Sequence, residues 1–489
     1  MSKVQFPALT RRQQCVPNRA IVTASRTPTS LPTSEHSGRD RDSGADPHAR
    51  PQGHIGWIVA GSLAVGLLCA VLLVAAPFIP ANEDAVTGAV LCGLALGWAL
   101  LAVLSVRLTD QPQRWAAAPA LLMGLGGLLL LEFGPTVRDV LDWAWPPVAL
   151  ALAIWMVVRA HRRLRSRSRR LVLYPVIATL ALASVGGGYQ TVATAADGRA
   201  YPMPGQVFDV GGHRLHLSCS GSGAPTVILQ PGMGEMSSNM ALIAPAVARG
   251  TRVCVYDRAG RGWSEAADTA QDAEQIATDL HTLLQRADVD GPYVLAGHSF
   301  GGRYVLTYAA RYPDEVAGMV LIDTTPPASG PGPAVASSDR RDSYNAVGRV
   351  AALASATARL GVARLQSQFT SGNLPSQAEG EVRAATSTAA NFGSFVEEFA
   401  RGNASAQQAA SFVDFADKPL VVLTAGVGSD PSDAAAHAHL ATLSTNGVHR
   451  VVEGETHQSL VAAEGGAAAT TQAIVDVVSS ARSGNQLTE

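Results

Sequence analysis

The chain has no surplus of either charge: 37 Lys and Arg stand against 39 Asp and Glu, a net of −2 over 489 residues. That balance excludes a protein that grips nucleic acid through a general basic surface. A compact charged-then-apolar leader is also lacking, since the first apolar run begins only at Ile55. Residues 1–54, rich in Ser, Thr, Pro and Arg without apolar periodicity, therefore read as a disordered tail and not as a cleavable signal. Cysteine is scarce, five in all, and only Cys219 and Cys254 lie beyond residue 200. The closest histidine pair, His437 and His439, falls two apart in an expected helix and points to opposite sides, a poor start for a metal site. No metal and no cofactor is expected.

Long apolar runs are what the first half has in abundance. Ile55–Ile79, Ala85–Val106, Trp115–Leu131, Trp143–Val158 and Leu171–Ala196 hold no Asp, Glu, Lys or His. A helix needs about 20 apolar residues to cross the hydrocarbon core, so residues 55–200 read as five transmembrane helices. The fourth run is short and carries Pro146-Pro147, so it needs flanking residues such as Val140 and Leu141. Trp57, Trp115, Trp143 and Trp145 sit near run ends, where an interfacial belt would place them. Arginine alternates along the connections. The tail carries seven, the first connection only Glu83 and Asp84, the second Arg107 and Arg114, and the fourth, "RAHRRLRSRSRR", seven more. The positive-inside rule then puts the N-terminus in the cytoplasm and everything after the fifth run outside, in a multi-pass membrane protein. With no acid or base inside a run, nothing marks an ion path, and the region reads as an anchor in contact with membrane lipids.

From residue 201 the pattern changes to strand-like runs: "QVFDVGG", "RLHLSC", "PTVILQPG", "TRVCVYDRAG", "YVLAGHS", "AGMVLIDTTPP", "KPLVVLTAG" and "GVHRVVEG". Helical stretches such as "DAEQIATDLHTLLQRA" separate many of them. Strand–helix alternation predicts an α/β domain over 201–489, with a mostly parallel sheet covered on both faces and a hairpin as its antiparallel edge.

Within it, Gly297-His298-Ser299-Phe300-Gly301 lies between a strand and a helix. A serine on so sharp a turn is exposed at the helix N-terminus, and glycine two residues either way relieves the crowding. Ser299 is the candidate nucleophile, and it needs a base. His457, late in the chain after a strand in "VVEGETHQSL", is the candidate. His298 adjoins the nucleophile but points away along the turn, while His213 and His216 belong to an early strand and His449 to the strand before His457. A carboxylate must hold the histidine's tautomer, and the order nucleophile, acid, histidine leaves Asp430 and Asp323, with Asp433 a lesser third. Two backbone N–H groups should receive the oxyanion: that of Phe300, next to the nucleophile, and that of Met233 in the loop "QPGMGEMSS", where Gly232 and Gly234 allow close approach.

Across about 205–480 the chain resembles the α/β-hydrolase superfamily. The resemblance rests on "QPGMGEMSS", "YDRAGRGWSE", "GHSFGG", "LIDTTPP" and "GETHQSL", and is nearest to membrane-anchored, actinobacterial-type hydrolases with several N-terminal spans. It implies an α/β-hydrolase fold with a cap inserted at about 325–415, and an esterase- or lipase-like serine hydrolase acting through an acyl-enzyme. The substrate would be a small-molecule or lipid-like ester. The alternative is an inactive hydrolase fold serving as a membrane receptor or scaffold. The family's usual His-Gly before the oxyanion loop is Pro231-Gly232 here. Between Asp430 and Asp323, Asp430 is the expected acid because it follows the penultimate strand and shares a sheet edge with His457. Asp323 occupies a place that some family members use. In the family's sheet order the strands of Cys219 and Cys254 are neighbours, so an external compartment would permit a disulfide. Phe392, Phe395, Val396 and Phe399 form a helical stripe in the cap, expected mainly as packing core.

Overall fold

The computed structural model describes residues 55–163, 167–267, 269–328, 337–367 and 373–488. The proposed tail, 1–54, lies outside them. Among the described residues five long helices come first: α1 (Ile55–Ala75), α2 (Glu83–Leu108), α3 (Ala117–Phe133), α4 (Pro135–Arg163) and α5 (Arg167–Ala200). Five helical segments among the described residues are long and apolar enough to cross a membrane, the third of them counted from Arg114 to Phe133. At 1.5 Å per residue, α1 alone is about 30 Å long, the thickness of the hydrocarbon core. The short fourth run is extended backward to Pro135, and Pro146 and Pro147 lie inside the continuous helix. Small residues let α1 and α2 touch backbone to backbone: a Cβ on Gly66 would stand 2.7 Å from the Gly97 Cα. That contact needs no polar glue and suits packing in an apolar solvent.

Eight strands follow among the described residues: β1 (Gln206–Asp209), β2 (Arg214–Ser220), β3 (Thr226–Gln230), β4 (Val253–Tyr256), β5 (Tyr293–His298), β6 (Val316–Ile322), β7 (Leu420–Val427) and β8 (Gly447–Thr456). They form one sheet in the order β1-β2-β4-β3-β5-β6-β7-β8, antiparallel over the first three strands and parallel from there on. Alternate residues of the central strands feed two cores. Val227, Val294, Val320 and Val421 pack with Ile474 and Val477, while Ile228, Leu295, Met319 and Leu420 pack with Leu280, Leu283 and Val305. Both faces are thus covered, as near-continuous apolar strands require.

The covering helices are α6 (Ala244–Val247), α7 (Ala273–Arg286) and α8 (Phe300–Arg311), and after β7 α14 (Pro431–Ala441), α15 (Ser459–Ala462) and α16 (Glu464–Ser483). Between β6 and β7 stand α9 (Ser337–Ala358), α10 (Val362–Ser367), α11 (Ser376–Thr386), α12 (Ala389–Ala400) and α13 (Gly402–Ala409), a helical layer where the cap was expected. The phenylalanine stripe divides in a way periodicity does not show. Phe392 packs in a cap cluster, but Phe399 is 69% exposed, and the buried face of α12 carries Asn391, Gly393 and Glu398. Cys219 and Cys254 are register partners of β2 and β4 and form a disulfide.

Candidate active site

Parallel strands deliver their following loops to one edge of the sheet, where α/β folds place their chemistry. Ser299 follows β5, Asp323 follows β6, the Pro231–Met236 loop follows β3 and His457 follows β8. Ser299 has φ +56°, the left-handed region that a non-glycine residue adopts only when its surroundings impose it. Those surroundings are glycines. A Cβ on Gly297 would stand 2.6 Å from the Gly301 carbonyl oxygen, and one on Gly301 would overlap the Gln230 carbonyl. The Ser299 N–H donates to the Ile322 carbonyl at 3.0 Å, which ties the elbow to the end of β6.

The histidine's partner differs from the expected one. His457 Nδ1 lies 2.6 Å from Asp323 Oδ2, and Asp323 Oδ1 accepts the Ala425 N–H at 3.0 Å. Asp430 is instead the N-cap of α14. Its carboxylate accepts the Ser432 N–H at 2.8 Å and the Ser432 hydroxyl at 2.6 Å, exposed to solvent. The structure therefore corrects the preference for Asp430 in favour of Asp323. The physical reason is backbone geometry. Asp323 has φ +42° and donates its N–H to the Leu423 carbonyl, which holds it at the strand end. Asp430, followed by Pro431, satisfies the open N-terminus of a helix, a role for which Asp is well suited. Asp433 lies in the first turn of the same helix.

Burial would raise the Asp323 carboxyl. The hydrogen bonds from His457 and Ala425 and the charges of His457 and His437 outweigh it and hold the group below the usual carboxylate range. As a carboxylate it accepts only, so His457 Nδ1 carries the proton and Nε2 presents its lone pair. His437, 2% exposed, sits behind the pair, with Nε2 2.7 Å from the Thr324 carbonyl and Nδ1 2.8 Å from Thr424 Oγ1. It is a scaffold histidine, as is the buried His216, which meets Asp257 at 2.9 Å.

The Pro231–Met236 loop is held by two buried ion networks that motif reading did not find. In the first, Glu235 Oε2 accepts the Gly232 N–H at 2.6 Å and lies 3.0 Å from His298 Nδ1, while Oε1 accepts from Gln458 at 3.1 Å. His298 Nε2 in turn donates to the His457 carbonyl at 3.1 Å, and the two rings lie 4.7 Å apart. His298 thus joins the elbow, the oxyanion loop and the segment that carries the base. Burial opposes charge on both partners. The His298 charge and the hydrogen bonds to Glu235 nevertheless hold the carboxyl at about 2, and Glu235 raises His298.

In the second network, Glu398 of α12 meets Arg258 at 2.9 Å and Arg261 at 2.8 Å, all three at most 2% exposed in their side chains. Arg258 also donates to the carbonyls of Pro231 and Gly232 at 2.8 and 2.7 Å, and Glu398 accepts the Gly234 N–H at 3.1 Å. With the amides of Gly232 and Gly234 engaged by carboxylates, Met233 is left as the loop's donor without an acceptor among the described residues, as is Phe300 at the start of α8. A Cβ on Gly232 would stand 3.2 Å from the Ser299 Cβ, so the loop lies directly beside the serine. The sequence signal for both networks was present in "QPGMGEMSS" and "YDRAGRGWSE", but Glu398 lies in a cap helix with no motif of its own. No cluster of His, Cys, Asp and Glu among the described residues has the form of a metal site.

Residues 225–446 match the alpha/beta hydrolase fold family. The chain is 36% identical over 122 residues to 2-(acetamidomethylene)succinate hydrolase of Mesorhizobium japonicum, covering 24% of this chain and 42% of that one. It is 39% identical over 82 residues to a non-heme chloroperoxidase of Streptomyces lividans, 17% of this chain and 29% of that one. The first three curated relatives, all uncharacterised proteins, are matched over 29%, 37% and 47% of their own lengths. Among solved structures, an enol-lactonase from Burkholderia xenovorans is 21% identical and covers 56% of this chain and all of its own, with a TM-score of 0.41. Behind its bundle of apolar helices, the chain has the α/β-hydrolase fold, and residues 225–446 of that region match the family of that fold.

Proposed function

We propose that this protein is a membrane-anchored serine hydrolase that cleaves an ester or related carbonyl compound through an acyl-enzyme. The observation that carries the reading is the 2.6 Å pair of His457 and Asp323 at the sheet edge where Ser299 stands on a strained, glycine-flanked turn. Ser299 Oγ attacks the substrate carbonyl while His457 Nε2 takes the hydroxyl proton. Asp323 fixes the tautomer and stabilises the imidazolium. The tetrahedral oxyanion accepts the N–H groups of Met233 and Phe300, donors positioned before the charge develops. Collapse expels the leaving alcohol with the proton from His457, leaving acyl-Ser299. A water deprotonated by His457 then releases the acid and restores the serine. Phe395 of the cap, which lies against Gly234 of the oxyanion loop, favours an apolar acyl group on a small-molecule or lipid-like ester.

The five apolar helices would anchor this domain, with the N-terminus cytoplasmic and the hydrolase domain outside. The Cys219–Cys254 disulfide accords with an oxidising compartment. A fluorophosphonate probe tests the chemistry. It should label the wild-type chain and leave Ser299→Ala unlabelled. Equal labelling of both, or of neither, would favour an inactive scaffold. Alkaline phosphatase fused to the C-terminus tests the topology and should be active outside the cell.

A further inference from the structure

The cap is fastened to the ends of the apolar helices by three arginines. Arg349 donates to the carbonyls of Val74, Ala76 and Ile79, the last two at 2.9 and 2.8 Å, and so caps the end of α1. Arg359 pairs with Glu83 and, at 2.7 Å, with Asp142. Arg364 pairs with Asp197 at 2.8 Å and Gln190 at 3.0 Å. These three arginines, all the cations between residues 346 and 367, are thus turned inward, toward the bundle.

What faces outward between residues 346 and 367 is uncharged and mainly apolar. From residue 346 on, the exposed positions of α9 and the turn after it, Ala346, Val350, Leu353, Thr357 and Leu360, recur at spacings of four, three, four and three, a single helical stripe without charge. Val362 and Leu365 of α10 continue it; Val350, Leu360 and Leu365 are 57%, 43% and 64% exposed. A solvent-facing stripe of a soluble domain would carry charge, and this one carries none.

Its depth follows from helix geometry. A Cβ on Gly186 would overlap the Leu360 carbonyl, so the turn between α9 and α10 rests on α5 at Gly186. Gly186 stands 13 residues along α5 from Leu173, where the apolar span begins, or about 20 Å at the α-helical rise. That is well within about 30 Å of hydrocarbon. The Arg359–Asp142 pair lies 17 residues along α4 from Arg159, about 26 Å on the same measure. The stripe is therefore level with the edge of the leaflet, and it continues the exposed apolar flank of α5, Leu182 and Val185.

We propose that the outward stripe of α9 and α10 lies in the lipid leaflet on the hydrolase side, and that the site draws its acyl ester from that leaflet. The inference rests on the reading of α1–α5 as membrane spans and of Ser299 as nucleophile. Only one helical layer separates leaflet from site. The inner face of α9 packs on α12, with Ser355 donating to the Ala389 carbonyl at 3.0 Å, and Glu398 of α12 holds the oxyanion loop. Insertion of an apolar helical face by several ångströms into the headgroup–acyl boundary is the ordinary mode of an interfacial helix.

The test uses the full chain in liposomes, with Cys15, Cys69 and Cys92 replaced by alanine and an NBD fluorophore on single cysteines at Leu353, Leu365, Leu67 and Val475. Leu353 and Leu365 should emit blue-shifted light that is lost to lipids bearing a nitroxide near the headgroup. Leu67, in the middle of α1, should be quenched by deep nitroxides, and Val475 by neither. If Leu67 is quenched while Leu353 and Leu365 behave like Val475, the surface does not meet lipid. If Leu67 also escapes, the membrane reading itself fails and the inference falls with it. In a second arm, Leu353→Asp with Leu365→Asp should slow hydrolysis of a long-chain p-nitrophenyl ester in the bilayer several-fold and leave a water-soluble acetate ester unchanged. Equal rates of loss on both, or loss on neither, would overturn delivery from the leaflet.

Discussion

Replacing Asp323 by asparagine separates chemistry from folding. Asn tolerates the left-handed conformation that Asp323 adopts at φ +42°, and its side-chain oxygen can still accept the Ala425 N–H. What it cannot do is accept from both Ala425 and His457 Nδ1 as a carboxylate does at 3.0 and 2.6 Å. If the amide NH2 faces His457, the ring must take the other tautomer, with Nε2 protonated and unable to deprotonate Ser299. Such a reversal costs about four orders of magnitude in kcat, or about 5.5 kcal/mol in the barrier. KM should change little, since Asp323 orients the base and does not hold substrate. Asp430→Asn should stay near wild type, because Asn caps a helix as well as Asp does and the stability change is at most about 0.5 kcal/mol. Steady-state hydrolysis of p-nitrophenyl esters by the two purified variants, each matched to wild type in melting temperature, gives the comparison. Collapse of Asp430→Asn with activity retained in Asp323→Asn would refute the assignment.

Glu398→Gln should destabilise the hydrolase domain by about 3–5 kcal/mol, because it strands two buried guanidinium groups. At roughly 2–4 °C per kcal/mol for a domain of this size, the melting temperature should fall by about 6–20 °C, and differential scanning fluorimetry in detergent will show it. Glu235→Gln should narrow the pH range of stability in a defined way. Glu235, held at about 2, contributes stability that is complete above its unfolded value near 4.5 and is lost as pH falls through 2. His298, raised above about 6.5, contributes stability that is complete below that value and is lost as pH rises through its higher folded one. The melting-temperature gap between wild type and Glu235→Gln should therefore be widest between about pH 4.5 and 6.5 and close on either side; a pH-independent gap would dismiss the pair as its cause. Gly301→Ala should prevent accumulation of folded protein, since its Cβ would meet the backbone of Gln230 and no side chain can yield. A pulse-chase with normal wild-type-like persistence would contradict the packing of the elbow.

The tight turn at Ser299, the place of His457 after the last strand and the sheet were legible because each has a local signature. Ser299 lies between glycines that a tight turn demands, and the strands that carry it, apolar on both faces, announce a covered parallel sheet. Which carboxylate meets His457 was not legible because two aspartates follow adjacent strands. What separates them is a positive φ at Asp323 and a helix cap at Asp430, and neither leaves a trace beyond Pro431. Glu398 was hidden for a related reason. The helical period of Phe392, Phe395 and Phe399 pointed to an apolar inner face, whereas α12 turns a carboxylate inward to two arginines more than 130 residues earlier in the chain. Pairings of that sequence separation belong to the tertiary fold. The arginines that bind the cap to the helical bundle are legible only once the ends of α1, α4 and α5 are placed.

The central claim is that Ser299 becomes acylated, and a pre-steady-state measurement addresses it most directly. Full-length protein mixed rapidly with excess p-nitrophenyl ester should release a burst of one p-nitrophenol per active site before the slower steady rate. Acid-quenched, digested samples should carry the acyl mass on the peptide containing Ser299, with both signals absent in Ser299→Ala. Linear release from the start with no acylated peptide, or an adduct that persists in Ser299→Ala, would contradict the account.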